Sequence, residues 1–209
     1  MFLEDRNKRI RLLVRKLNRE RKQQARKIDI LCKDLIGAQR KFIKRLHAIS
    51  FSTDFYESLI GTTRLTDILS FAEIFIKERV DDVNVTLFIR GDDGFQSYTT
   101  GSDQPILDHQ LCLENCFTQE SFENICRTNN ICNLDQMLEM NLECNLSVTN
   151  KLSAYTIPLE IQGLSLGFIL IYRPIENKLT PEDLETVTSI IPGLSKAITT
   201  SQSLLKTKN

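Results

Sequence analysis

The sequence predicts an α+β fold: an antiparallel sheet with helices packed on one face, preceded by a long N-terminal α-helix. Three observations carry this. Charge divides the chain, with 16 Lys+Arg against 5 Asp+Glu in residues 1–50 (net +11) and 11 against 22 in residues 51–209 (net −11). The hydrophobic period changes along the chain from helical to alternating, and does so in two separate regions. In both regions the alternating runs are joined by short Gly-containing turns, which leave no room for a crossover helix, so the strands pair antiparallel. The charge division is read as two parts with different partners, a basic coiled-coil or dimerisation helix over 1–50 and a folded body over 53–205.

The basic segment carries a heptad. Alternating steps of four and three land on Ile10, Val14, Leu17, Arg21, Gln24, Ile28, Leu31, Leu35, Ala38, Phe42, Arg45 and Ile49, and nine of the twelve are apolar. Such spacing is the seam of a coiled coil. No Pro precedes Pro105 and the first Gly is Gly37. A continuous helix from about residue 5 to 49 would be roughly 65 Å long. One exposed helix cannot bury its own stripe, so a second copy of the chain is the simplest partner. Arg21 and Gln24 interrupt the seam inside the polar stretch Asn18–Lys27, where a splayed region or a hinge is expected. The charge itself is read as a solvated face of a dimerisation helix. An anionic membrane, met by Phe2, Leu3, Ile10, Leu13 and Leu17, or nucleic acid phosphates are the alternative partners of residues 1–50.

The body follows in order. Leu65, Ile68, Leu69, Ala72, Phe75, Ile76 and Val80 keep a helical repeat within a helix expected over 51–80. Val83, Val85, Leu87 and Ile89 then alternate with Asn84, Thr86, Phe88 and Arg90, a strand; Gly91-Asp92-Asp93-Gly94 turns, and Phe95–Thr99 returns. A loop is expected from Thr100 to about Pro105, a short helix over 118–128 capped by Thr118, and a short strand at Ile131-Cys132-Asn133. Leu152–Ile161, the turn Gln162-Gly163 and Leu164–Arg173 form a second hairpin. Pro158 must face away from a neighbour's acceptor or sit at an edge, and Gly167 signals a close backbone approach or a bulge. Thr180-Pro181-Glu182-Asp183 opens a last helix, which Pro192-Gly193 should kink or break.

Ala154 to Leu170, an apolar strand bearing Pro158-Leu159, a Gly turn and a Gly-containing apolar strand, resembles the late hairpin of the GAF domain, a small-molecule sensor fold related to PAS. Asn124–Leu134 resembles the middle section of that family, and Thr180–Leu184 the start of its terminal helix. The resemblance covers about residues 53–205. It implies a six-stranded or similar antiparallel sheet with a ligand pocket between the sheet and a middle segment near residues 98–145. Candidate ligand-binding residues by position in the resemblance are Phe88, Tyr98, Cys126, Cys132 and Tyr155. The cofactor is left unknown, because no ligand motif of the family transfers: Asn150-Lys151-Leu152-Ser153 shares only two residues with a cyclic-nucleotide motif, and no Cys precedes a His as bilin attachment requires.

Five of the six cysteines, Cys112, Cys116, Cys126, Cys132 and Cys144, fall together, with His109 just upstream. His109, Cys112 and Cys116 are spaced to share one helical face, but no Cys-x-x-Cys pair occurs. The thiols are read first as small buried hydrophobes, then as redox sensors, then as metal ligands. No Ser/His/Asp set, phosphate loop or carboxylate pair is recognisable, so the chain is expected not to be an enzyme. The remote alternative is the GAF-fold free methionine-R-sulfoxide reductase, whose Ser-x-Ser-Glu flank is missing near Cys144. The charged start Met1–Arg6 and the lack of an apolar run long enough to span a bilayer point to the cytoplasm. The reading is a sensory or regulatory module, dimeric through its N-terminal helix, which senses a small ligand or thiol state and signals to a partner protein. A scaffold with a self-filled pocket is its alternative.

Overall fold

The computed structural model describes residues 2–91, 94–99, 112–145 and 149–207. The chain divides into two units, Met1–His47 and Ala48–Asn209. The first unit is purely helical, part of α1 (Phe2–Ser58). No hinge appears at Asn18–Lys27, which is helical throughout. Arg, Lys and Gln are good helix formers, so the polar stretch interrupts the apolar seam but not the backbone ladder. The stripe is uncovered: Ile28, Leu31, Leu35, Phe42 and Ile49 are all more than half exposed.

The second unit begins with the last turns of α1, where Phe51 and Phe55 are buried. The helix expected over 51–80 is in fact divided. Helix α1 ends at Ser58, whose hydroxyl donates to the Phe55 carbonyl (2.7 Å), and Gly61 takes a left-handed φ of +85°. Arg64 is extended, and α2 (Leu65–Lys77) starts afresh. The apolar repeat spans both pieces, so periodicity alone hid the break; Gly61 was the available signal.

Five strands form one antiparallel sheet in the order β2-β1-β5-β4-β3, with β1 Asn84–Gly91, β2 Gly94–Tyr98, β3 Cys132–Asn133, β4 Leu152–Ile161 and β5 Leu164–Pro174. Gln162 and Gly163 both have positive φ (52° and 80°), the two-residue turn whose twist suits a hairpin. Gly167 stands opposite both Ile89 and Leu159, next to the register shift at Leu159/Glu160. Its φ is +142°, and a Cβ there would overlap the Phe88 carbonyl oxygen. Both readings of Gly167, close approach and bulge, are therefore met. Pro158 pairs with Phe168 of β5 and lies beyond the two residues of β3, so the missing N–H costs no ladder bond on that edge.

The strands alternate between two cores. Val85, Leu87, Ile89, Ile157, Leu159, Ile169 and Ile171 join Phe51, Phe55, α2 and the C-terminal helix α5 (Pro181–Thr207). Phe88, Ala154, Phe168, Leu170 and Tyr172 point the other way, under a middle segment that carries α3 (Gln119–Thr128) and α4 (Leu134–Glu139). Helix α3 is capped by Thr118, which accepts from the Ser121 N–H (3.2 Å), and ends at Asn129 in the left-handed region. Helix α4 escapes the periodicity argument because it is only six residues long; its signature is the Asn133–Gln136 capping box, with both bonds at 2.9 Å. Thr180 and Asp183 cap α5 reciprocally, and buried Arg173 reaches Asp183 (2.8 Å) and the carbonyls of Lys178 and Asp81. The helix continues through Pro192 to Thr207 rather than breaking there. No described helix is long and apolar enough to cross a membrane.

Candidate functional site

The candidate site is the second face of the sheet, under the middle segment. Its floor alternates with the first core because strand parity requires it: Thr86 and Phe88 on β1, Phe168, Leu170 and Tyr172 on β5. Aromatic rings fill the centre. Phe88, Phe117, Phe122 and Phe168 sit with ring centroids 4.9–5.6 Å apart, and Phe95 stacks on Phe122 at 5.0 Å. These are contact distances for stacked and tilted rings. The centre of this face is thus filled by phenylalanine side chains of the chain itself.

At one end of that cluster lies a carboxylate among hydroxyls and thiols. The short 3₁₀ turn Leu113–Cys116 buries Leu113 and sets Glu114 on the sheet. The Tyr172 hydroxyl donates to both carboxylate oxygens (2.8 Å each), and Thr86 Oγ1 donates to Oε1 (3.2 Å). Burial, then the Glu114 charge and the hydrogen bond to it, push the Tyr172 phenol well above its ordinary range. Cys116, half-buried, closes the same turn. Its carbonyl accepts from the Glu143 N–H (3.1 Å), which brings the two chain segments side by side. Cys144 follows in the chain and packs with Cys116 against the same core. Burial first, then the hydrogen bonding and charge of Cys144 and the charge of Glu114, push Cys116 up to about 12. Cys112 is exposed at the start of the turn, raised by desolvation and by Glu114.

The residues expected to bind a ligand are divided by the sheet. Phe88, Cys126 and Cys132 come together on the second face. Tyr98 and Tyr155 pack against the first core instead, a correction to their grouping with the other three. The reason is parity: Tyr155 pairs with Ile171, and Tyr98 with Leu87, both first-core positions. Burial raises the thiols of Cys126 and Cys132; the Ser165 hydroxyl near the former and the Thr156 hydroxyl near the latter oppose it. The five clustered cysteines thus separate into the buried core residues Cys126 and Cys132, the pair Cys112 and Cys116 on either side of Glu114, and Cys144, which packs against the same core as Cys116. Cys112 and Cys116 lie at either end of a 3₁₀ turn, not on an α-helical face, and His109 lies outside the described residues. Among the described residues no group of three or more His, Cys, Asp or Glu is arranged to hold a metal ion.

Glu114, Thr86 and Tyr172 escaped the sequence reading. Thr86 and Tyr172 share the parity of Phe88 and Phe168, which marks them as polar groups on an otherwise apolar face. Glu114 carried no signal beyond its place between two cysteines.

No protein-family model matches the sequence, and no curated protein matches it. Solved structures do. The GAF domain from a phosphoenolpyruvate-protein phosphotransferase of Coxiella burnetii is 13% identical, covers 76% of this chain with 96% of its own, and superposes with a TM-score of 0.53. The GAF domain/HD domain protein of Geobacter sulfurreducens is 11% identical over 68% of this chain and 97% of its own, with a TM-score of 0.51. The GAF domain from the corresponding Acinetobacter phosphotransferase is 10% identical over 74% of this chain and 94% of its own, also at 0.51. At these TM-scores the likeness is one of fold: the body of this chain has the GAF-domain fold.

Proposed function

We propose that the chain is a non-catalytic sensory or regulatory module of the GAF fold that dimerises through α1. Its input, a small molecule or a change of thiol state, acts on the second face of the sheet, and its output passes to a partner protein in the cytoplasm. The observation that carries the reading is the helix. An unbroken α1 leaves Ile28, Leu31, Leu35, Phe42 and Ile49 uncovered, while Phe51 and Phe55 at its end are core residues of the body. A stripe of that spacing calls for a second helix, and a second copy supplies one. A change in the body that repacks Phe51 and Phe55 would shift the population of helix arrangements in the dimer.

The filled aromatic centre supports a second reading, a scaffold whose pocket is closed by its own side chains. The two readings share the dimer and differ in the input. Light scattering on the full chain tests what they share: the mass of two chains is expected, and a monomer would overturn the proposal. Flotation with anionic vesicles, and retention on duplex DNA, test the rival partners of the basic segment. Binding to either that weakens steeply as salt rises and accompanies a monomer would favour those partners instead.

A further inference from the structure

We propose that Cys116 and Cys144 are an oxidisable pair whose disulfide straps the middle segment across the second face of the sheet, and that this bond is the input of the module. The inference rests on the regulatory reading given above for its meaning, but not for its chemistry. Three observations carry the chemistry. The Glu143 N–H donates to the Cys116 carbonyl at 3.1 Å, so the residue next to Cys144 is bonded to the backbone of Cys116. Both thiols are partly exposed and pack against the same core. The other cysteines of that core are placed differently: Cys132 donates to the Asn130 carbonyl (3.3 Å) and Cys126 is buried. The backbone bond sets the two chain segments side by side, as a disulfide between Cys116 and Cys144 requires.

The order of events follows from the surroundings. Burial above all, then the hydrogen bonding and charge of Cys144 and the charge of Glu114, keeps Cys116 protonated, so Cys116 serves as the resolving thiol. With hydrogen peroxide as the oxidant, the Cys144 sulfur takes one peroxide oxygen; the O–O bond breaks, Cys144 becomes a sulfenic acid and one water leaves. The Cys116 sulfur then attacks the sulfenic sulfur. The S–S bond forms, the S–OH bond breaks, and the hydroxide leaves as a second water with the proton of Cys116. Two thiols lose two electrons and two protons, and one peroxide becomes two waters. A dithiol reductant reverses the change by exchange.

The consequence is local. Cys116 ends the turn that holds Glu114 to Tyr172 and Thr86, and Cys144 follows α4. A bond between them joins both ends of the segment that carries α3, β3 and α4, over a sheet to which Glu114 is already tied.

The test uses the full chain, treated with hydrogen peroxide, quenched and alkylated. Arg127 is the one Lys or Arg between the two cysteines, so trypsin separates them into different peptides. The expected result is loss of two of the six free thiols and a linked peptide pair that fragments to Cys116–Cys144, reversed by dithiothreitol. Hydrogen exchange in residues 112–145 should slow on oxidation in the wild type and not in Cys116→Ser or Cys144→Ser. A bond from Cys112 to either partner, a bond between chains through Cys32, or oxidation to sulfinic acid without a bond would overturn the pairing. A correct bond with unchanged exchange would overturn its role as a strap. Light scattering on the same samples keeps the two readings apart: a monomer that still forms the bond sinks the dimeric module and spares the thiol pair.

Discussion

Leu31→Ala with Leu35→Ala in one chain is the sharpest test of the α1 dimer. The two side chains are 66% and 60% exposed. Burying a whole leucine contributes roughly 1.5–3 kcal/mol, so covering about two-thirds of one contributes roughly 1–2 kcal/mol. Two chains bring four such side chains to the seam, and their truncation should weaken the dimer by about 4–8 kcal/mol. That is about a thousandfold to a millionfold in the dissociation constant. Alanine is the best helix former, so the variant keeps its helix, and far-ultraviolet circular dichroism should not change. Sedimentation equilibrium over a concentration series reads the result. The wild type is expected as a dimer and the variant as a monomer with the same helix content. Superposable curves would refute the seam. So would an equal loss from Leu12→Ala with Leu13→Ala, which lie at the far end of the helix and off the heptad.

Three further outcomes are expected. Gly167→Ala places a Cβ into the Phe88 carbonyl at a φ of +142° and should cost about 3 kcal/mol or more; an unchanged melting temperature would show that β5 and β1 are not so closely apposed. Tyr172→Phe removes one of the two hydroxyl donors to Glu114 and should cost about 1–3 kcal/mol, with Glu114→Gln in the same background recovering part of it; no loss in urea melts would mean that water serves the carboxylate equally well. Unfolding stability should fall as pH rises from 9 to 12. Cys116 ionises near 9.0 in the unfolded chain and near 12 in the fold, so the unfolded state sheds its proton first; Cys112, Cys126, Cys132 and Tyr172 shift in the same direction. A stability that stays level through that window would contradict the burial of these groups, and Cys116→Ala should make the fall shallower.

What the sequence disclosed follows from how local each signal is. The heptad of α1, the alternation of β1, β4 and β5, and the Thr180-Pro181 start of α5 are set by neighbours within a few residues, so they were legible. Gly167 was legible for the same reason, since only glycine fits a strand position with positive φ. The break at Gly61 was masked by apolar residues that serve two helices in turn, and α4 was too short to show a period. The site was least legible because it depends on register. Nothing near Tyr155 in the chain says that it packs on the first core rather than beside Phe88; the pairing Tyr155↔Ile171 decides that. Glu114 meets Tyr172 across 58 positions, and Cys116 meets Glu143 through one backbone bond. Pairings of that range have no local trace.

The same register gives the proposed module its route from input to output. Along β1, Thr86 and Phe88 face the thiols and rings of the second core, and Val85, Leu87 and Ile89 between them face the core that holds Phe51 and Phe55. One strand therefore serves both layers. Interiors packed to this density do not deform smoothly, so a strap or ligand that repositions Phe88 must move Leu87 or leave a void beside it. The shift is worth only the difference in free energy between the two packings, typically about 1–3 kcal/mol for coupled sites. Phe88→Leu separates coupling from stability. It leaves Leu87 in place and loosens the ring cluster, so oxidation of the variant should still join Cys116 to Cys144 while exchange at Phe51–Phe55 no longer responds. A response equal to that of the wild type would mean that the two layers communicate by some element other than β1, or that they do not communicate through packing at all.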